Sequence, residues 1–158
     1  MDSMHDQSDG PGWIIIIGVV ISLLVGMAML MLMLAGCQST PPVVLPSGPG
    51  WLQMRSADGT YQISLKIPDK PPLNQEITVE GVVSRSGDPI AAEAEVHFDG
   101  GMPQHGHGLA VPVETSRLPA SGFRAEGVRF HMSGRWLITL DVREGPHLER
   151  ARAWVDIP

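Results

Sequence analysis

The chain has 158 residues, a formal net charge of −6 and one cysteine. A lone thiol excludes an intramolecular disulfide framework, and 11 basic residues against 17 acidic ones, with no basic tract, argue against nucleic acid as a partner. The charge is split evenly: Asp2, Asp6 and Asp9 precede residue 13, and the other −3 lies beyond the apolar run that follows.

That run, residues 13–36 (WIIIIGVVISLLVGMAMLMLMLAG), carries no charge after the acidic tail of residues 1–12. As a helix it would span roughly 36 Å, against about 30 Å for a bilayer core, so membrane insertion is expected. Two readings stay open. Leu34 to Cys37 (LAGC) resembles a bacterial lipobox, which would make Cys37 a lipidation site and residues 13–36 a signal peptide. The run is longer than an ordinary signal-peptide core and its flank is acidic rather than basic, which favours an uncleaved transmembrane helix. Either reading puts the remainder outside the cytoplasm, on the periplasmic or extracellular side of the cell membrane. Met27, Met29, Met31 and Met33 read as lipid-facing filler.

Residues 37–50 hold four prolines and two glycines and read as a semi-extended spacer. Residues 51–158 then read as strands throughout. YQISLKI (61–67) alternates apolar and polar residues. EITVEGVVS (76–84) alternates at Ile77 and Val79, with a shift expected at Gly81. AEAEVHF is a short strand around Ala94 to Phe98. FRAEGVRFHM and RWLITLDVRE are expected to form a hairpin turning at Ser133 and Gly134. RARAWVDI places Ala151, Ala153, Val155 and Ile157 on one face. These elements predict an all-β fold, an immunoglobulin-like antiparallel β-sandwich of about seven strands behind an N-terminal hydrophobic helix. Trp136 is the expected core tryptophan, with Leu137 on the opposite face.

Two stretches carry unusual chemistry: MPQHGHG at 102–108 and FHMSGRW at 130–136. Met102, His105 and His107 lie in a glycine-rich loop. His131 and Met132 lie near a strand end and should point to opposite sides. Imidazole and thioether together suit copper better than zinc, which more often recruits cysteine or carboxylate. The candidate metal set is therefore Met102, His105, His107, His131 and Met132, with Asp99 a weaker addition. The plainer alternative is exposed loop histidines beside a methionine that plugs the core. His97 reads as a solvent-facing strand residue, and His147 with Glu149 reads as surface.

The order GDPIAAEAEVHF, MPQHGHG and GVRFHMSGRWLITLDV, with Gly134 two residues before Trp136, resembles the YtkA-like/FixH-like family over residues 51–157. The resemblance implies an immunoglobulin-like sandwich on an N-terminal membrane anchor. For the FixH branch it implies work on copper-containing respiratory oxidases, so the partners implied are such an oxidase or a copper chaperone. Many YtkA-like members are lipoproteins, and the LAGC sequence leans towards that branch. Two functions follow: a copper-binding accessory domain for copper trafficking or oxidase assembly, or a non-metal protein-binding module at the cell envelope. No nucleophile elbow or phosphate loop is present, and an enzyme is not expected.

Overall fold

The computed structural model describes residues 12–34 and 40–158, with side chains from residue 16 to 29 and from 40 onward. Cys37 lies outside the described residues. The chain divides into two units, residues 1–39 and 40–158. In the first, helix α1 runs Gly12–Leu34, uncharged along its length. Over the described residues, no helix is long and apolar enough to cross a membrane.

The second unit is all β. Its strands are β1 (Trp51–Arg55), β2 (Tyr61–Lys66), β3 (Ile77–Arg85), β4 (Asp88–Pro89), β5 (Glu95–Met102), β6 (His107–Gly108), β7 (Glu114–Arg117), β8 (Gly122–Val128), β9 (Gly134–Glu144) and β10 (His147–Ile157). Sheet A has the order β1-β2-β3-β8-β7, with β4 folded onto β3; sheet B has the order β10-β9-β5-β6. Every pairing is antiparallel. This is the expected β-sandwich behind a helix, with eight strands of four residues or more rather than seven.

The alternation read in sequence is what closes the core. On β2, Tyr61, Ile63 and Leu65 are buried; on β9, Trp136, Ile138, Leu140 and Val142 are buried. Trp136 is fully buried, as expected, and Leu137 faces away. On β10 the buried side is Glu149, Ala151 and Ile157, while Arg150 and Arg152 face solvent. At one side of the sandwich the edges of the two sheets meet: Ser56 bridges Ala151, and the Ala57 amide donates to the Arg150 carbonyl at 3.1 Å.

Three expectations are corrected. The 123–144 stretch is not a hairpin. β8 belongs to sheet A and β9 to sheet B, so residues 129–133 cross between the sheets, and β9 instead forms a hairpin with β10. The pattern on β3 does not shift at Gly81: Val79, Gly81 and Val83 are all buried, and the irregularity in pairing lies between Ile77 and Val79. The spacer is not free chain from residue 40 on. The Val43 amide donates to the Gly87 carbonyl at 2.9 Å, and Gln53 Nε2 donates to the Pro46 carbonyl at 2.9 Å.

Gly81 is buried because the Phe123 ring lies across it. A Cβ there would fall 2.5 Å from Phe123 Cε1 and 2.8 Å from Leu65 Cδ2. Both neighbours are themselves fully buried, so neither can move aside freely. We expect Gly81→Ala to destabilise the domain by about 1–3 kcal/mol through overpacking. Urea unfolding followed by tryptophan fluorescence checks this: the midpoint should fall with an unchanged slope.

Candidate functional site

β5 ends at Met102. A tight turn follows, with the His105 amide donating to the Met102 carbonyl at 2.9 Å, and the chain returns as β6 with His107 opposite Met102. The crossover at residues 129–133 arrives at the same end of the sandwich. Phe130 is buried and packs edge-on to Trp136 at 5.1 Å between centroids. His131, the next residue, lies 5.3 Å from Trp136 and 5.8 Å from His107, edge-on to both; His107 in turn lies 6.4 Å from His105. Three imidazoles thus run in series from solvent to the core tryptophan. The loop and the crossover, 24 residues apart between His107 and His131 in the chain, are joined by topology.

His131 Nδ1 is buried and has no hydrogen-bond partner among the described residues. A buried ring nitrogen without a partner is costly. The other members of the sequence-derived set sit differently. Met102 is 3% exposed and belongs to the core, so it is not a loop ligand open to solvent. Its terminal methyl occupies the space beside Gly134, where a Cβ would come within 2.8 Å. Met132 packs half-buried against the same core, and its carbonyl accepts from Trp136 Nε1 at 3.1 Å. His97 and Asp99 both lie exposed on β5, and Asp99 Oδ1 takes the Gly100 amide. Among the described residues, no three His, Cys, Asp or Glu side chains are already arranged around one point as metal ligands.

A second polar group lies at the far end of β9, and the sequence reading missed it. Glu144 Oε2 accepts from the Tyr61 hydroxyl at 2.8 Å and meets Arg85 Nη1 at 3.1 Å, while Oε1 accepts from the Ala91 amide at 2.7 Å. Burial raises the Tyr61 phenol, and the bond to Glu144 adds to it, to about 12. Glu149, read as surface from its turn position, is 4% exposed, and its Oε1 lies 2.6 Å from His147 Nε2. Burial opposes its charge, but the neighbouring Ser56 and Thr60 hydroxyls and His147 outweigh that and hold the carboxyl down at about 2, although Oε2 itself makes no hydrogen bond among the described residues. Only the partners, set by folding, distinguish Glu149 from an exposed acid in a turn.

The folded value lies below the ordinary 4.5 of a glutamate. Glu149 therefore adds stability that is present above about pH 4.5 and is lost as the pH falls towards 2. We expect thermal unfolding midpoints measured between pH 7 and 2.5 to drop less steeply for Glu149→Gln than for the parent, from a lower value at neutral pH.

Comparison with curated proteins finds no match. Among solved structures, a DUF4426 family protein from Pseudomonas aeruginosa is similar, with a TM-score of 0.50 at 14% identity, covering 70% of this chain and 97% of that one. At that identity the likeness is one of fold. Residues 55–141 match the model of the YtkA-like family, an interval that runs from the end of β1 through both histidine stretches into β9. The FixH-like half of the sequence resemblance is not part of that match. The chain belongs to the YtkA-like family.

Proposed function

We propose that the histidine end of the sandwich binds a copper ion, and that the protein is a membrane-anchored accessory domain presenting that site outside the cytoplasm. One observation carries the metal reading: His131 Nδ1, buried and unpartnered, beside His107. With metal–nitrogen bonds of about 2.0 Å, two imidazoles on one ion have centroids roughly 5–6.5 Å apart. The His107–His131 and His105–His107 separations of 5.8 and 6.4 Å fall in that interval. The 6.4 Å pair is at the limit reached by two imidazoles in line, so the turn carrying His105 would have to draw in as the ion binds. His105, His107 and His131 would hold the ion. The exposed pair would meet it first, and His131 would complete its burial against the core.

The donor set is imidazole, which accepts copper in either oxidation state. Met102 and Met132 supply the apolar floor of the site. Copper delivery to an oxidase or exchange with a chaperone is the activity that a partly exposed, labile site of this kind suits. The membrane part of the reading rests on the uncharged sequence of residues 13–36, with Cys37 as the lipidation site if the segment is cleaved.

The test is a titration of the chain carrying Cys37→Ser, so that its thiol cannot contribute. Cu(I) under reducing conditions competes against a chromophoric chelator. We expect one equivalent to bind, with a loss of at least about a hundredfold in affinity for the His105→Ala/His107→Ala/His131→Ala variant at an unchanged unfolding midpoint. Met102→Leu should change affinity by less than about threefold. No competition for Cu(I), nor for Cu(II) in air, would leave a sandwich whose histidine end contacts a protein instead.

A further inference from the structure

β10 is the edge of sheet B: it pairs with β9 on one side, and its other side faces outward. It runs for eleven residues with no proline or lysine in it. Protein edges are ordinarily blunted by such residues or covered, because a bare edge offers its amides and carbonyls to another strand. β1 covers part of this one, through the Ser56–Ala151 bridge and the Ala57–Arg150 hydrogen bond. Past Ala151 the two edges part. A cleft of about 280 Å³ opens there, with Trp51 and Leu52 on one side and Trp154 and Val155 on the other. Alternate residues of an antiparallel strand direct their backbone groups to the same side. The Arg150 carbonyl points outward to Ala57, so the outward residues beyond it are Arg152, Trp154 and Asp156.

The stretch Arg152 to Asp156 (RAWVD) is self-complementary about its middle residue. Arg152, Trp154 and Asp156 are exposed, while Ala153 and Val155 are half-buried. Arg152 and Asp156 thus stand two residues either side of Trp154 on the outer face, with opposite charges. Among the described residues neither has an ion-pair partner, whereas Arg143 and Arg150 on the same face are paired with Glu95 and Asp141. Trp154 is 42% exposed even though Arg135 lies over its ring, 5.0 Å from the centroid.

We propose that this edge pairs with the same edge of a second copy of the chain, antiparallel, about a two-fold axis at Trp154. In that register Trp154 meets its own copy, Arg152 meets the partner's Asp156, and Ala153 meets the partner's Val155. Trp154 exchanges both backbone hydrogen bonds with its copy, and each Asp156 amide donates to the other chain's Arg152 carbonyl. Aromatic pairs and opposite charges directly across from one another are what stabilise a strand pair. An axis at Ala153 or Val155 would instead set Trp154 against Arg152 or against Asp156, and the charges would not meet. The contact is isologous, so it uses up the edge and stops at two copies. β6 lies at the opposite edge of sheet B, so the histidine end of each copy stays open. The paired stretch is short beside the interfaces of permanent dimers, and association is expected to be weak and reversible.

The experiment is sedimentation equilibrium of the full chain carrying Cys37→Ser, over a concentration series in density-matched detergent. We expect a reversible monomer–dimer equilibrium. Arg152→Asp and Asp156→Arg each bring like charges together twice, and each should weaken the dimer at least about tenfold. The double variant Arg152→Asp/Asp156→Arg should return to within about threefold of the parent. Trp154→Lys, which puts a lysine on the edge, should leave only the background association of α1 in the micelle. At concentrations where the parent is monomeric, the charge variants should unfold at the parent's midpoint, since the substituted side chains are exposed. A parent that stays monomeric throughout, equal association by the parent and Trp154→Lys, a double variant no tighter than the two single ones, or species larger than a dimer that Trp154→Lys abolishes would each overturn the proposal.

Discussion

The Glu144 carboxylate ties the sandwich together. It sits at the last position of β9 in sheet B, yet its bonds go to Tyr61 on β2 and Arg85 on β3 in sheet A, and to the Ala91 amide in the connection between the sheets. A buried carboxylate with fewer donors would be a liability. With these three it fixes the position of one end of β9 against three other segments. β9 is eleven residues long and continuously paired with β10. Fixing Glu144 therefore sets where Gly134 arrives at the other end, and Gly134 is the residue against which the Met102 methyl rests.

The two ends of β9 consequently differ in chemistry. At the Glu144 end, an acid, a phenol and a guanidinium are matched to one another, while the Glu149 carboxyl is held far below its ordinary range with its Oε2 left without a partner. At the Gly134 end the polar groups are unmatched: His131 presents a buried nitrogen with no partner, and His105 and His107 lie exposed. Arg117, with Nε and Nη1 buried and unpaired, is a second exception on that side. Among the described residues, the buried side-chain groups left without a partner are thus His131 at one end and Glu149 and Arg117 towards the other.

Much of the sandwich was legible in the residues, because alternation at period two follows directly from strands that bury one face. Tyr61–Lys66 and the β10 face follow from that alone, as does the burial of Trp136. The Ser133–Gly134 pair misled, because a glycine-containing crossover between sheets and a hairpin turn have the same composition. Gly81 looked like an interruption because a glycine carries no side chain to continue the pattern; its burial depends on Phe123, 42 residues away. The grouping of His131 with His105 and His107 was legible as composition, but its geometry depends on the crossover, and the burial of Met102 depends on its being the end of β5 rather than part of a loop. Glu149 and Arg117 were not legible at all, since neither the burial of the one nor the missing partner of the other has any local signature.

The meeting of Ser56 with Ala151, beside the Ala57–Arg150 hydrogen bond, has a consequence for biogenesis. The first strand of the domain is held by the last. β5, at the centre of sheet B, likewise has no long partner until β9 exists. A ribosome making this chain produces sheet A's first hairpin early, but sheet B has no long strand pair until residue 144 has been made. Such non-local pairing folds slowly, because distant segments must meet before either is rewarded. Until its C-terminal hairpin is synthesised, sheet B cannot close over sheet A, and the interior of the domain is completed late.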